Sequence, residues 1–248
     1  MRFEILDSCP AVRHLVSEKD LGFGCGFSMA LHTGEAEAVI HRNRTALSEV
    51  FGEGYRFCGI RQTHSDRIHI AAHPEGEGWE SLSDAVEADA VITDLPQMVL
   101  TILTADCVPI LLYDPVAGAI GAVHAGWKGT KAEILPKTIA KMQEKYGSEP
   151  QDILVAIGPA IGQCCYEVGS EVAEHFTGYA GAVIEGKDAG KYQLDLKRVN
   201  QLQAMKSGIA TKHIEVTPLC TSCVKDRFFS YRAEQGCSGR FVSAITIV

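Results

Sequence analysis

The chain has 248 residues, of which 46% are hydrophobic and 22% charged, the balance of a globular protein with a sizeable core rather than a disordered one. It carries 23 Lys and Arg against 31 Asp and Glu, a formal net charge of −8, which argues against a general nucleic-acid coat because that needs a basic face. An anionic ligand held in a local pocket stays compatible with that balance.

The N-terminus is charged early and has no apolar leader core, and no run approaches about 18 uninterrupted apolar residues. These features predict a cytoplasmic protein that does not engage a membrane. In a reducing setting the nine cysteines are core residues, metal ligands or nucleophiles rather than a disulfide framework.

In chain order, residues 56–64 read as a strand that puts Cys58, Ile60, Gln62 and His64 on one face. Residues 74–84 are acidic and Gly-rich, a surface loop. The apolar runs 98–105, 108–113, 119–124 and 153–157 read as buried strands. Thr130 with Glu133 fits a capping box for a helix carrying Leu135, Ile139, Met142 and Tyr146 and stopping at Gly147. Ser170 could cap a short helix to Phe176. Asp195 caps another, with Leu196, Val199, Leu202 and Met205 apolar and Gly208 as its stop. Residues 228–231 and 240–248, joined by a turn with Gly236 and Gly239, read as a terminal hairpin. No repeat or linker interrupts the pattern. The expectation is one mixed α/β (α+β) domain over residues 1–248, with layered sheets flanked by helices.

Three apolar strands end on a residue able to bind a metal: His64, Cys107 and His124. Two imidazoles and a thiolate form a sensible zinc set, and three protein ligands leave a fourth position for a water that the metal would activate. Their separations of 43 and 17 residues match no local zinc signature. The same residues also read as a nucleophilic Cys107 with His124 or His64 as base, or as a zinc-stabilised interaction module without turnover. A multicopper oxidase fits poorly, since the nine histidines are scattered and no His-X-His occurs. Cys220-Thr-Ser-Cys223 lacks a spaced second pair, because Cys164 and Cys165 are adjacent; all four read as core or loop cysteines. Cys9, Cys25, Cys58 and Cys237 carry no motif. Gly126-Trp-Lys-Gly129 and Ile157-Gly-Pro-Ala-Ile-Gly162 read first as turn chemistry, though the former, with Lys128, could hold an anion at a helix start.

Taken together, the chain resembles the YfiH family, also called the laccase-domain or polyphenol-oxidase-like family. The resemblance rests on His32-Thr-Gly-Glu, His41-Arg-Asn-Arg44, Arg61-Gln-Thr-His64, Thr104-Ala-Asp-Cys-Val-Pro-Ile110, Val123-His-Ala-Gly-Trp-Lys-Gly129, Ile157-Gly-Pro-Ala-Ile-Gly162, Tyr166-Glu-Val-Gly169, Leu194-Asp-Leu196 and Phe228-Phe-Ser-Tyr-Arg232 with Gly239-Arg240. It implies a layered α/β fold related to cysteine-hydrolase-like toxin domains and zinc held by His64, Cys107 and His124. It also implies phosphorolysis of adenosine, inosine, guanosine and methylthioadenosine, with deamination of adenosine. A bacterial branch is linked to editing of peptidoglycan precursors, so a cysteine- or zinc-dependent amidase is the alternative.

On that reading Asp106 would shuttle a proton. Arg44, Lys128 and Arg232 would contact substrate or phosphate, and Asn43 and Gln62 would orient ribose or base. Asp106 adjoins Cys107, so its role requires a bend in the chain there. Lys128 stands where Arg is usual, and Ala233-Glu234 replaces the usual Arg-Asp. Lysine keeps the charge but loses the bidentate fork. The expected partners are nucleosides and phosphate, with no nucleic acid and no membrane, for a monomer or small homo-oligomer.

Overall fold

A computed structural model of the chain describes residues 1–73, 75–236 and 239–248. Pro74, at the head of the expected acidic loop, and Cys237, in the expected hairpin turn, lie outside the described residues. The chain begins with helix α1 (Glu4–Asp7) and strand β1 (Val12–Val16), then α2 (Glu37–Phe51). Three short strands follow: β2 (Arg56–Cys58), β3 (Ile68–Ile70) and β4 (Ala90–Thr93). The centre of the chain is β5 (Met98–Thr104), β6 (Val108–Asp114) and β7 (Ala119–Ala125), followed by α3 (Trp127–Lys131) and α4 (Ile134–Tyr146). The remainder is β8 (Leu154–Ile157), β9 (Glu167–Gly169), α5 (Ser170–Ala173), β10 (Val183–Glu185), β11 (Lys191–Leu194), α6 (Leu196–Lys206), β12 (Ile214–Val216) and β13 (Phe241–Ile247).

Among the described residues the strands form one sheet in the order β1-β13-β5-β2, a second in the order β12-β8-β6-β7-β4-β3, and a small third, β10-β11-β9. The two larger sheets pack face to face. Leu100, Ile102, Phe241 and Ile245 from the first meet Val91, Leu111, Tyr113, Ile120 and Ala122 from the second. The alternate residues of the same strands face outward and are also covered. Val99, Val242 and Ala244 pack on Leu47 and Phe51 of α2. Ile92, Ile110, Leu112, Val123 and Ile157 pack on α4 and α6 through Ile134, Leu135, Ile139, Leu196 and Val199. The result is four layers, helix–sheet–sheet–helix, and it explains why β5 to β8 read as continuous apolar runs: both faces of each strand are buried.

The expected layered α/β fold is the observed one, and the four buried strands fall within a residue or two of expectation. Three expectations are corrected. The capping box does not form: Thr130 lies inside α3 with its hydroxyl accepting from Asn200 Nδ2 at 3.1 Å, and Glu133 sits in the left-handed region at φ 58° at the start of α4. The first expected strand stops at Cys58, and His64 lies beyond it in a turn at φ 59°. Among the described residues the terminal hairpin is absent. Both edges of β13 are taken, by β1 and β5, while Phe228 and Phe229 bury their rings in the core between the large sheets. Asp195 caps α6 as expected, accepting from Arg198 N at 2.9 Å.

Candidate active site

The site forms where the chain crosses between the two large sheets. β5 belongs to the first and β6 to the second, and the link Ala105-Asp106-Cys107 joins them. Asp106 takes φ 91° there, a costly conformation for a non-glycine residue. β7 pairs with β6 so that Pro109 faces His124, which sets His124 beside Cys107. The loop before β3 brings His64 over the pair. The His64 and His124 rings lie edge to face with centroids 4.8 Å apart, and Cys107 Sγ is 3.7 Å from His64 Nε2. One ligand atom from each of His64, Cys107 and His124 lies within 4.8 Å of the others. Gly126 makes room: a Cβ there would stand 2.9 Å from His64 Cδ2 and 3.0 Å from Cys107 Sγ.

Asp89, just before β4, organises this centre and was not singled out from the sequence. It is fully buried. Its Oδ1 accepts from His64 N at 3.0 Å and His124 Nδ1 at 2.8 Å. Its Oδ2 accepts from Thr63 N at 3.2 Å and from Ser65 N and Oγ, each at 2.6 Å. The carboxylate thus fixes the His64 turn and the His124 tautomer together, leaving Nε2 of His124 for Cys107 or a metal. The only hint in the sequence is an acid set inside an apolar stretch, Ala88-Asp89-Ala90-Val91.

The electrostatics follow from this geometry. Burial would raise the Cys107 thiol, but the charge and hydrogen bonds of His124 and His64 outweigh it and bring it down to about 6. Burial would lower His124, but the Cys107 sulfur and the Asp89 carboxylate outweigh it and raise the imidazole to about 9. Asp89 is held down to about 2: burial opposes ionisation, and hydrogen bonds from His124 and Ser65 overcome it. In the absence of metal the pair is a thiolate beside an imidazolium.

The centre opens on a cavity of about 500 Å³ whose wall includes His32, Trp127, Tyr166, Tyr231, Arg232 and Arg240. Lys128 stands at an adjoining opening with Trp127 and Tyr166. The Arg232 guanidinium donates to Glu167 O at 3.1 Å and lies 5.5 Å from the Tyr166 ring centroid.

The structure gives four of the expected site residues other hydrogen-bond partners. Arg44 is 2% exposed; its guanidinium donates to Met29 O and Trp79 O and lies 4.3 Å from the Trp79 ring centroid, so it braces α2 instead of meeting phosphate. Asn43 spends its amide on Gly24 O and Ser28 O. Gln62 lines the cavity, and its amide acts as a surrogate strand partner, donating to Leu103 O at 2.7 Å and accepting from Leu103 N at 2.8 Å. Asp106 accepts from Thr221 Oγ1, Ser230 Oγ and Arg232 N at 2.6–2.7 Å, so it ties the turn at Thr221 and the segment 230–232 to the crossover and is no free proton shuttle. His32 and Arg240, both within the motifs quoted above, line the cavity although no role was assigned to them.

The four cysteines read as core or loop residues are also corrected: Cys164, Cys165, Cys220 and Cys223 converge, with their sulfurs within 4.8 Å of one another.

Fold and site together define a layered α/β protein with a cysteine–histidine centre at the crossover between its two main sheets. The chain belongs to the family described as "Multi-copper polyphenol oxidoreductase laccase", whose model matches residues 13–248, the YfiH family expected from the motifs. It is 35% identical to a protein named purine nucleoside phosphorylase YlmD from Bacillus subtilis, over 87% of this chain and 80% of that one. It is 34% identical to a purine nucleoside phosphorylase from Bacteroides thetaiotaomicron, over 99% and 95%. Its fold matches the crystal structure of Bacillus licheniformis YfiH with a TM-score of 0.89, 33% identity and coverage of 96% and 93%. Among the described residues no helix is long and apolar enough to cross a membrane.

Proposed function

We propose that this chain is a zinc-dependent purine nucleoside phosphorylase acting on adenosine, inosine, guanosine and methylthioadenosine, and that the same pocket deaminates adenosine. The observation that carries this reading is the Cys107–His64–His124 centre at the floor of a cavity walled by aromatic rings and guanidinium groups. The names carried by the relatives supply the substrate class.

The donor set suits zinc. Two imidazoles and a depressed thiol are borderline-soft ligands that leave one side open to the cavity. Among the described residues, the groups able to hold a metal contain at most two histidines each, which fits a mononuclear site better than a multicopper cluster. Bound by His64, Cys107 and His124, Zn²⁺ would supply Lewis acidity to the reacting oxygen.

The protein's own residues do the rest. Asp89 holds the Nδ1 proton of His124 and with it the direction of Nε2. Trp127, Tyr166 and Tyr231 offer flat faces to a purine. Arg232, Arg240 and Lys128 supply positive charge where phosphate must approach the anomeric carbon as the base departs. Incubation with adenosine and phosphate tests the proposal. Adenine with ribose-1-phosphate, or inosine with ammonia, is the expected product, and absence of turnover by fully metallated protein refutes it.

A cysteine-dependent amidase is the second reading, and the order Cys107–His124–Asp89 favours it. A nucleophile, a base and a carboxylate that orients the base form the general arrangement for acyl transfer. Activity resistant to chelators, with an acyl mass added to Cys107, would select it over the first.

A further inference from the structure

The Cys164, Cys165, Cys220 and Cys223 cluster lies apart from the His64–Cys107–His124 centre, and its residues share no ligand with it. The first pair sits in a turn after β8, where Cys165 N and Tyr166 N both donate to Gly162 O at 3.0 Å. The second pair spans another turn, where Cys223 N and Val224 N both donate to Cys220 O at 3.0 Å. Each turn aims two adjacent or near-adjacent sulfurs to one side, so the unspaced Cys164-Cys165 dipeptide works here as a ligand pair.

Cys223 Sγ lies 3.4 Å from Cys165 Sγ and 3.6 Å from Cys164 Sγ. A disulfide needs about 2.05 Å, whereas sulfurs about 2.3 Å from a tetrahedral zinc stand about 3.8 Å apart. Gly162 N donates to Cys220 Sγ at 3.1 Å, the kind of hydrogen bond that orients a thiolate ligand. A Cβ at residue 162 would stand 3.1 Å from Cys220 Cβ and 3.4 Å from Cys164 Sγ, so glycine is what lets the two turns close. Four thiolates around a dication leave two negative charges. The Lys197 ammonium, buried and donating to Thr217 O and Leu219 O at 2.8 and 2.9 Å, lines the same cleft as Cys164 and Cys220.

We propose that Cys164, Cys165, Cys220 and Cys223 bind a second, structural Zn²⁺ that ties the turn after β8 to the turn after β12. All four positions are filled by protein, the closed arrangement of a structural rather than a catalytic site. Its place gives it a purpose. The first turn carries Ile161 and Tyr166 into the cavity wall, and the second carries Thr221, whose hydroxyl holds Asp106 next to Cys107. A clamp between the turns fixes that wall without touching substrate.

The test is metal content of full-length protein, reduced, demetallated, loaded with Zn²⁺ and desalted. Wild type is expected to retain one zinc per chain more than Cys220→Ser/Cys223→Ser, and His64→Ala/His124→Ala is expected to keep that zinc. The readout is a difference, so it stands whether or not the His64–Cys107–His124 centre turns over nucleosides. Equal zinc in wild type and the double cysteine variant overturns the proposal. Should that variant fail to fold, thiol counting on folded wild type decides. Zn²⁺ is expected to shield four thiols beyond Cys107 from alkylation, and shielding of none of the four overturns it. Loss of two hydrogens in the mass of wild type kept under reductant, mapped to a bond among these cysteines, overturns it as well.

Discussion

Asp89→Asn is the most incisive single change at the centre. The carboxylate accepts five hydrogen bonds through two oxygens. An amide keeps one acceptor oxygen and turns the other into a donor. If the oxygen stays toward Ser65, the NH₂ faces His64 N and His124 Nδ1, leaving a backbone donor unsatisfied and driving the imidazole to the tautomer that carries its proton on Nε2, away from metal binding. Breaking a buried charged pair costs about 3–5 kcal/mol, and loss of a histidine's orienting carboxylate lowers metal affinity about 10–100-fold. The pH dependence adds a signature. Asp89 falls from its ordinary 3.8 to about 2 on folding, so its contribution is present above pH 4 and is lost as pH drops toward 2; the shift corresponds to about 2 kcal/mol. Urea melts of metal-free wild type and variant from pH 7 to pH 2, with zinc titration against a competing chelator, measure both quantities. A stability gap below about 1 kcal/mol at pH 7, or zinc affinity within about twofold of wild type, would refute the role given to Asp89.

Metal-free Cys107 should be alkylated with a midpoint near pH 6, since at pH 7 about nine-tenths of it is thiolate, against about one hundredth for a thiol at the ordinary 9.0; a midpoint above 8 by mass-resolved iodoacetamide kinetics contradicts the thiolate–imidazolium pair. Gly126→Ala, whose Cβ would press on His64 and Cys107, should weaken zinc binding about tenfold or more while changing fold stability by less than about 1 kcal/mol; calorimetric titration and urea melts check the split. Arg44→Met should lower stability by about 3 kcal/mol, because it strips donors from two buried carbonyls, and leave the KM for phosphate unchanged. Arg232→Ala should raise that KM about tenfold and change adenosine deamination by less than about twofold, a split read from paired phosphorolysis and ammonia assays.

What the sequence reveals depends on which physical signal survives in it. β5, β6, β7 and β8 are legible because burial on both faces makes them apolar throughout. Helix α2 is not, because Asn43 and Arg44 sit in its buried stripe with Ile40, Leu47 and Phe51, and two polar residues erase the period. The three centre residues are legible as metal-binding side chains next to apolar runs, although only His124 lies in a strand, β7, while Cys107 sits in the link between β5 and β6 and His64 in the loop before β3. Asp89 is not, because its partners His64 and His124 lie 25 and 35 residues away and are brought to it by the pairings of β4 with β3 and with β7. The cysteine cluster misleads for the same reason. Spacing rules describe ligands that share one turn, and here 55 residues separate the pairs Cys164-Cys165 and Cys220-Cys223.

Asp106 shows how these pieces depend on each other. A residue at φ 91° beside the reactive thiol keeps that geometry only if its surroundings over-determine it. They do so through Thr221, Ser230 and the Arg232 backbone, which belong to the segments after β12. Those segments are anchored by Phe228 and Phe229 in the core and by the turn that holds Cys220 and Cys223. The position of Cys107 is therefore set from both sides, by Asp89 through the histidines and by Asp106 through the C-terminal loops. A substitution confined to those loops, such as Thr221→Val, removes one of the hydrogen bonds to Asp106 while leaving His64, Cys107, His124 and the cavity wall in place. It should slow turnover more than it weakens zinc binding. Equal loss of both would place Asp106 among the groups that hold the metal rather than those that shape the crossover.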